Sequence, residues 1–223
     1  MPPCPGRLPE ERTRIGRVEI VSFPETATPG GLRAQVLTLQ RQAWPGAAPG
    51  HDPALRPLSM LLVDDGVVLA ALDILFKDIV HAGRRWGTAG LSTVVTAREI
   101  RGHGYGTGLV TAARDQMMLT PGLDLGMFTC DRPLQAFYQS AGWQVLTGTV
   151  LVGGTPGAPF PSDQPGFDKV TMGDFFSAAA RREHGLFLGA RIGLYPGRDR
   201  QAVVASWRSS ARRGDRDGQT SSG

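Results

Sequence analysis

Hydrophobic and polar positions along the 223-residue chain fall into blocks of two periods. Residues 18–23 alternate and are β-branched, which predicts a first strand. Apolar residues at 32, 36, 37, 39 and 44 follow helical spacing, and Pro45 stops that helix. Two apolar runs, 58–63 and 67–76, are split by Asp64-Asp65-Gly66, a hairpin signal. Residues 84–96 form another strand block. In 107–119 the residues Leu109, Val110, Ala113 and Met117 mark one helical face, and Pro121-Gly122 breaks it. A short strand is expected at 123–130. A helix then follows, capped by Asp131, with Pro133 in its first turn and Gly142 at its end. Residues 143–152 predict one more strand, 153–166 a Gly/Pro-rich loop, and 168–172 a strand that closes the sheet; 173–195 carries no clear period. Antiparallel hairpins mixed with βα crossovers make the class α+β.

Composition sets limits around that pattern. Hydrophobic residues are 41% and charged residues 20%, enough for a core in one domain of ordinary size. No run of about 18 apolar residues predicts a membrane span. Residues 1–17 lack an apolar stretch, so a flexible tail and no secretory signal are expected there. The net charge is +4, but residues 196–223 hold six Arg and three Asp, so +3 sits in that tail and the remainder is nearly neutral. A nucleic-acid groove is therefore not expected, and 196–223 reads as a solvated extension. Cys4 and Cys130 stand far apart in pattern, which argues for no disulfide and a cytoplasmic setting. Lys77 and Lys169 are the only lysines among 24 basic residues, a bias of GC-rich bacterial genomes.

The most informative segment is Arg101-Gly102-His103-Gly104-Tyr105-Gly106-Thr107-Gly108, between a strand and a helix. A helix N-terminus presents unpaired N–H groups and partial positive charge, and glycines let a phosphate come close. A P-loop would need Lys after its last glycine, and a dinucleotide fingerprint would need Gly at 107 or 109; neither holds. Arg101-x-x-Gly104-x-Gly106 instead resembles the acyl-CoA pyrophosphate motif of the GNAT acetyltransferases. The segment DRPLQAFYQSAGW, 131–143, resembles that family's second signature through Asp131, Tyr138, Gly142 and Trp143. Two departures stand out: Asp131 replaces the usual Asn, and Arg98 stands where a Pro is usual. Leu125-Gly126, Thr129-Cys130, 137–143, Gly148 and Pro161-Ser162-Asp163 are also similar to aminoglycoside 2′-N-acetyltransferases.

The resemblance covers about 20–152 and extends to the strand near Asp168; it implies a GNAT-type fold, an acetyltransferase domain over 18–195 and acetyl-CoA as co-substrate. It implies that Val94, Val95 and Thr96 offer main-chain groups to the pantetheine and thioester. By the same resemblance Arg101, Gly102, His103, Gly104, Tyr105, Gly106 and Thr107 surround the pyrophosphate, Asp131 contacts the cofactor, and Tyr138 gives a proton to the departing sulfur. The implied acceptor is a primary amine of a small molecule, an aminoglycoside being one candidate and a protein or peptide N-terminus another. Asp73 and Glu99 are candidate bases, and Cys130 reads as a buried structural residue. Asp52, Asp64, Asp65, Asp163 and Asp168 are candidate partners for a polycation, and the loop 44–57 would be a lid over the acceptor. His81 and His103 read as turn residues. No metal is called for, and a homodimer is compatible with the sequence. Two other readings stay open: a non-catalytic acyl-CoA sensor or scaffold, and a structural domain with a fortuitous glycine turn.

Overall fold

The computed structural model describes residues 13–15, 18–46 and 48–194. The extended blocks become β1 (Thr13–Ile15), β2 (Val18–Pro24), β3 (Leu58–Asp64), β4 (Val67–His81), β5 (Arg84–Thr96) and β6 (Leu125–Asp131). Between them lie α1 (Gly30–Ala43) and α2 (Tyr105–Leu119). After β6 come α3 (Gln135–Ser140), β7 (Gln144–Val145), β8 (Val150–Thr155), β9 (Ala158–Pro161), β10 (Lys169–Phe175), α4 (Ala178–Arg182) and β11 (Arg191–Gly193).

Eight strands form one sheet in the order β1-β2-β3-β4-β5-β6-β10-β7. Every pairing in it is antiparallel except β5 with β6. The helical face of α2 covers one side, where Leu109, Val110, Ala113 and Met117 join Leu72, Ile74, Phe128 and Trp143 in a core. On the other side α1 packs Val36 against Leu61, Val63, Ala71 and Val95. Alternation along β3 and β4 therefore assigns Ser59 and Asp73 to the α1 face with Leu61 and Ala71. Among the described residues no helix is long and apolar enough to cross a membrane.

The structure differs from the pattern at several points. Thr13–Ile15, inside the stretch expected to be a tail, pairs with β2; residues 196–223 lie outside the described residues. The helix expected from 107 begins at Tyr105. The strand expected over 143–152 is two pieces, because Gly148 takes a positive φ of +72° in the turn between them. The Gly/Pro-rich segment 153–166 is mostly a hairpin, β8 with β9, and β11 adds to it as a second sheet. Its glycines signal tight turns more than a loop. Asp131 does not cap the following helix through its side chain; that carboxylate pairs with Lys169 Nζ at 2.5 Å instead.

Candidate active site

The parallel pairing of β5 with β6 holds only at Thr88–Leu125 and Ala89–Gly126. Beyond it the two strands part, so among the described residues the β5 edge from Gly90 to Thr96 has no strand partner on that side. Gly90 stands at the fork, and a Cβ there would lie 2.6 Å from the Met127 carbonyl oxygen. The opening leads into a cavity of about 470 Å³. Ser92, Thr93 and Val94 of β5, Thr129, Cys130 and Asp131 of β6, and Tyr138 of α3 line it. From the α1 side come Leu37, Trp44, His51 and Leu55.

A bulge shapes this wall. Ala71 pairs with Val95 but Asp73 pairs with Ser92, so β5 carries one residue more than β4 over that step. Thr93 absorbs it at φ +49°, a left-handed conformation that a β-branched residue seldom adopts. Ser92 and Thr93 then turn their hydroxyls into one cluster, which successive residues of a regular strand would not do.

Asp73 sits in that cluster, 3% exposed. Its Oδ1 accepts from Ser59 Oγ at 2.5 Å and its Oδ2 accepts from Thr93 Oγ1. Burial pushes the Asp73 carboxyl up, against the pull of His51 and the two hydroxyls. Close by is His51, whose side chain is 3% exposed. It comes from the loop after α1, where Asp52 caps a single turn, Pro53–Leu55, by accepting from Ala54 N at 2.9 Å. Glu25, in the turn after β2, grips His51 twice. Its Oε2 accepts from the His51 main-chain N at 3.1 Å, and its Oε1 lies 3.0 Å from Nδ1. The other ring nitrogen, Nε2, is 2.9 Å from Ser92 Oγ.

Glu25, His51 and Asp73 offer ligand atoms within 4.8 Å of one another. Each of those atoms already has a hydrogen-bonding partner, however, so the set has the build of a proton network rather than of an open cation cage.

The glycine turn lies beyond the cavity wall. Gly102 and Gly104 take φ +83° and +81°, and a Cβ at either would meet nothing within 4 Å. Gly104 begins α2 with no side-chain cap, so the first amides of that helix open outward. At Gly106 a Cβ would stand 2.8 Å from Thr96 Oγ1, which ties the turn to the end of β5. Uncapped amides, room beside them and a joined open strand edge suit a long ligand with a diphosphate in its middle.

The other sequence-predicted residues divide. Val94 lines the cavity, whereas Val95 is buried toward α1. Arg101 is exposed and its Nε donates to the Thr96 carbonyl at 3.2 Å. His103 is exposed, its ring 6.4 Å from and nearly parallel to that of Tyr105. Thr107 uses its carbonyl for Thr111 Oγ1. Tyr138 is 6% exposed, edge-on to Phe128 and Phe137, and burial pushes its phenol well above the usual range. Glu99 is exposed, away from the cluster. His81 packs on Phe187 with Nε2 2.7 Å from the Leu186 carbonyl. Asp163 and Asp168 are paired with Arg191 and Arg132 at the surface. No local pattern points to His51, Glu25 or Ser92, since they come from three elements and only the fold joins them.

Comparison with known proteins now decides the family. The model of the acetyltransferase (GNAT) family matches residues 26–143, more than half of the chain. This chain belongs to the GNAT family. Its fold is similar to that of Escherichia coli ElaA, with a TM-score of 0.50 at 17% identity, over 70% of this chain and 98% of that one. An acyl-CoA N-acyltransferase from Pseudomonas aeruginosa is similar at TM-score 0.50 and 16% identity, again over 70% and 98%. A search of curated proteins finds none that matches. In the sheet order the fork of β5 and β6 is internal, with β4 on one side and β10 on the other.

Proposed function

We propose that the chain is an N-acetyltransferase that moves an acetyl group from acetyl-CoA to a primary amine of a small molecule. One observation carries the reading: the uncapped start of α2 and the open edge of β5 meet at Thr96–Gly106, and the same edge runs on into a cavity walled by Tyr138. Acetyl-CoA supplies an activated acetyl thioester. Main-chain N–H groups of Gly102 to Thr107 hold the diphosphate against the positive end of α2. The edge at Val94 to Thr96 orients the pantetheine arm, and an N–H there stabilises negative charge as it grows on the thioester oxygen. Tyr138 donates its phenolic proton to the leaving sulfur. A raised pKa keeps that proton in place across the physiological range.

The cavity wall narrows the acceptor. Leu37, Trp44, Leu55, Leu75 and Phe167 line it, and Asp131 is the one carboxylate among the lining residues. Asp52, Asp64, Asp65, Asp163 and Asp168 do not line it. A polycationic aminoglycoside would meet few anions, so this wall favours an amine on a largely apolar body.

Thiol release tests the reading. The full chain with acetyl-CoA should release CoA thiol when phenethylamine, spermidine or an alanyl peptide is added, fastest with phenethylamine. Acetyl-CoA at 100 times its Kd should stabilise the fold by about 2.7 kcal/mol. Stabilisation without thiol release from any of the three amines would favour the sensor reading.

A further inference from the structure

Acetyl transfer as set out above leaves one buried histidine unused. His51 stands between a carboxylate and a hydroxyl: Nδ1 is 3.0 Å from Glu25 Oε1 and Nε2 is 2.9 Å from Ser92 Oγ. An ionised carboxylate only accepts, so the neutral ring carries its hydrogen on Nδ1 and leaves Nε2 to accept from the Ser92 hydroxyl. Hydroxyl, imidazole and carboxylate follow the order of a serine–histidine–acid relay. The second contact of Glu25, to the His51 main-chain N, fixes the ring from two points. Ser92 and His51 both line the cavity, on the face that α1 covers. The bulge at Thr93 is what brings Ser92 and Thr93 together there.

The geometry points to a proton relay in which Ser92 and His51 deprotonate the acceptor's ammonium, an inference that rests on the acetyl-transfer reading. The ammonium gives a proton to Ser92 Oγ while the Ser92 hydroxyl proton passes to His51 Nε2. One N–H bond of the ammonium breaks, one N–H bond at Nε2 forms, and Ser92 ends unchanged. The free amine keeps the lone pair that attacks the thioester carbon. The imidazolium so formed faces Glu25 at 3.0 Å and Asp73 Oδ2 at 3.9 Å.

The titration of the cluster agrees with that role. Burial works to lower the His51 pKa, but the hydrogen bond to Glu25 and the charges of Asp73 and Glu25 outweigh it and raise the value. Burial works to raise Glu25, yet its bonds to His51 and the charges of His51 and of Arg33 on α1 hold it below the usual range. A base must be neutral to accept, so activity is lost as pH falls through the raised His51 value, above the ordinary imidazole figure of about 6.5. Tyr138 stays protonated throughout and adds no basic limb in the working range.

The test uses the full chain with acetyl-CoA and the fastest of phenethylamine, spermidine and an alanyl peptide, following kcat/KM by thiol release from pH 5 to 9. We expect His51→Gln to lose about 10²- to 10⁴-fold and to abolish the acid limb. Ser92→Ala should lose rate in the same direction. Glu25→Gln keeps an acceptor near Nδ1 but removes a charge, so its acid limb should move to lower pH. Retained acetyl-CoA stabilisation in each variant shows that the fold and donor site stand. Wild-type turnover with an unmoved acid limb in Glu25→Gln and His51→Gln overturns the relay alone. An acetyl ester on Ser92, found by mass spectrometry after acetyl-CoA without amine, also overturns it. Absence of thiol release from wild-type protein with all three amines removes the transfer reading, and the relay with it.

Discussion

The turn at Gly102–Thr107 offers a ligand main chain, whereas the wall at His51 offers side chains. In the turn, Gly102 and Gly104 expose amides at positive φ with empty space where a Cβ would stand. The flanking side chains face elsewhere, Arg101 to the Thr96 carbonyl and His103 over Tyr105. At the wall, Glu25, His51, Ser92, Thr93 and Asp73 meet from β2's following turn, the loop after α1, and strands β5 and β4. A diphosphate is the same in every acyl-CoA, so a rigid main-chain cradle suffices for it. An amine needs a group whose protonation can change, and only side chains provide that.

The difference predicts opposite sensitivities. Tyr138, in the side-chain half, should show the largest effect. Tyr138→Phe keeps the packing against Phe128 and Phe137 but removes the phenol proposed as proton donor. We expect kcat to fall about 10²- to 10⁴-fold with acetyl-CoA affinity held within a few-fold, measured by thiol release and by calorimetry. Unchanged kcat would leave Tyr138 as a packing residue and move the proton donor elsewhere.

In the main-chain half, charge should matter and side-chain identity should not. Asp and Asn both tolerate the left-handed conformation of Gly104, so comparing Gly104→Asp with Gly104→Asn isolates one negative charge at the start of α2. Gly104→Asp should bind acetyl-CoA at least about tenfold more weakly than Gly104→Asn. His103→Ala should stay within about threefold of wild type, because the ring turns to Tyr105 and to nearby carbonyls. Equal affinities for the Asp and Asn variants would mean that the diphosphate sits elsewhere.

Legibility in the sequence follows the same divide. The turn lies in one run of eight residues, and glycine spacing reports backbone directly, so the turn and the helix it opens could be read, and the diphosphate proposed for it follows from the same run. Strands β3 to β5 and helices α1 and α2 were legible because their apolar periods span whole elements. His51 gave no signal, since its partners lie 26 and 41 residues away and no local pattern announces a three-element junction. Asp73 read ambiguously, as a buried carboxylate or a solvated one, because alternation does not say which face is covered. Packing of α1 on that face decided it. The segment 153–166 failed for a different reason: glycine and proline mark turns, and a strand pairing fitted between them.

Cys130 lies where the halves meet, on β6 in the cavity wall, and it should show the smallest effect. A thiol beside a thioester is an obvious acyl acceptor if it ionises. Burial, with Asp131 adding to it, pushes the Cys130 thiol up to about 11, and Lys169 pulls back only in part. At pH 8 roughly one thiol in 10³ would then be thiolate, too few for a working nucleophile. Cys130→Ala should therefore retain kcat within a few-fold, and iodoacetamide should alkylate the native chain far more slowly at this position than the unfolded chain, as peptide mass spectrometry would show. Rapid alkylation at neutral pH, or a transferable acetyl thioester on Cys130, would break the division between a main-chain donor half and a side-chain acceptor half. The acetyl group would then pass through the wall itself instead of moving directly from CoA to the amine.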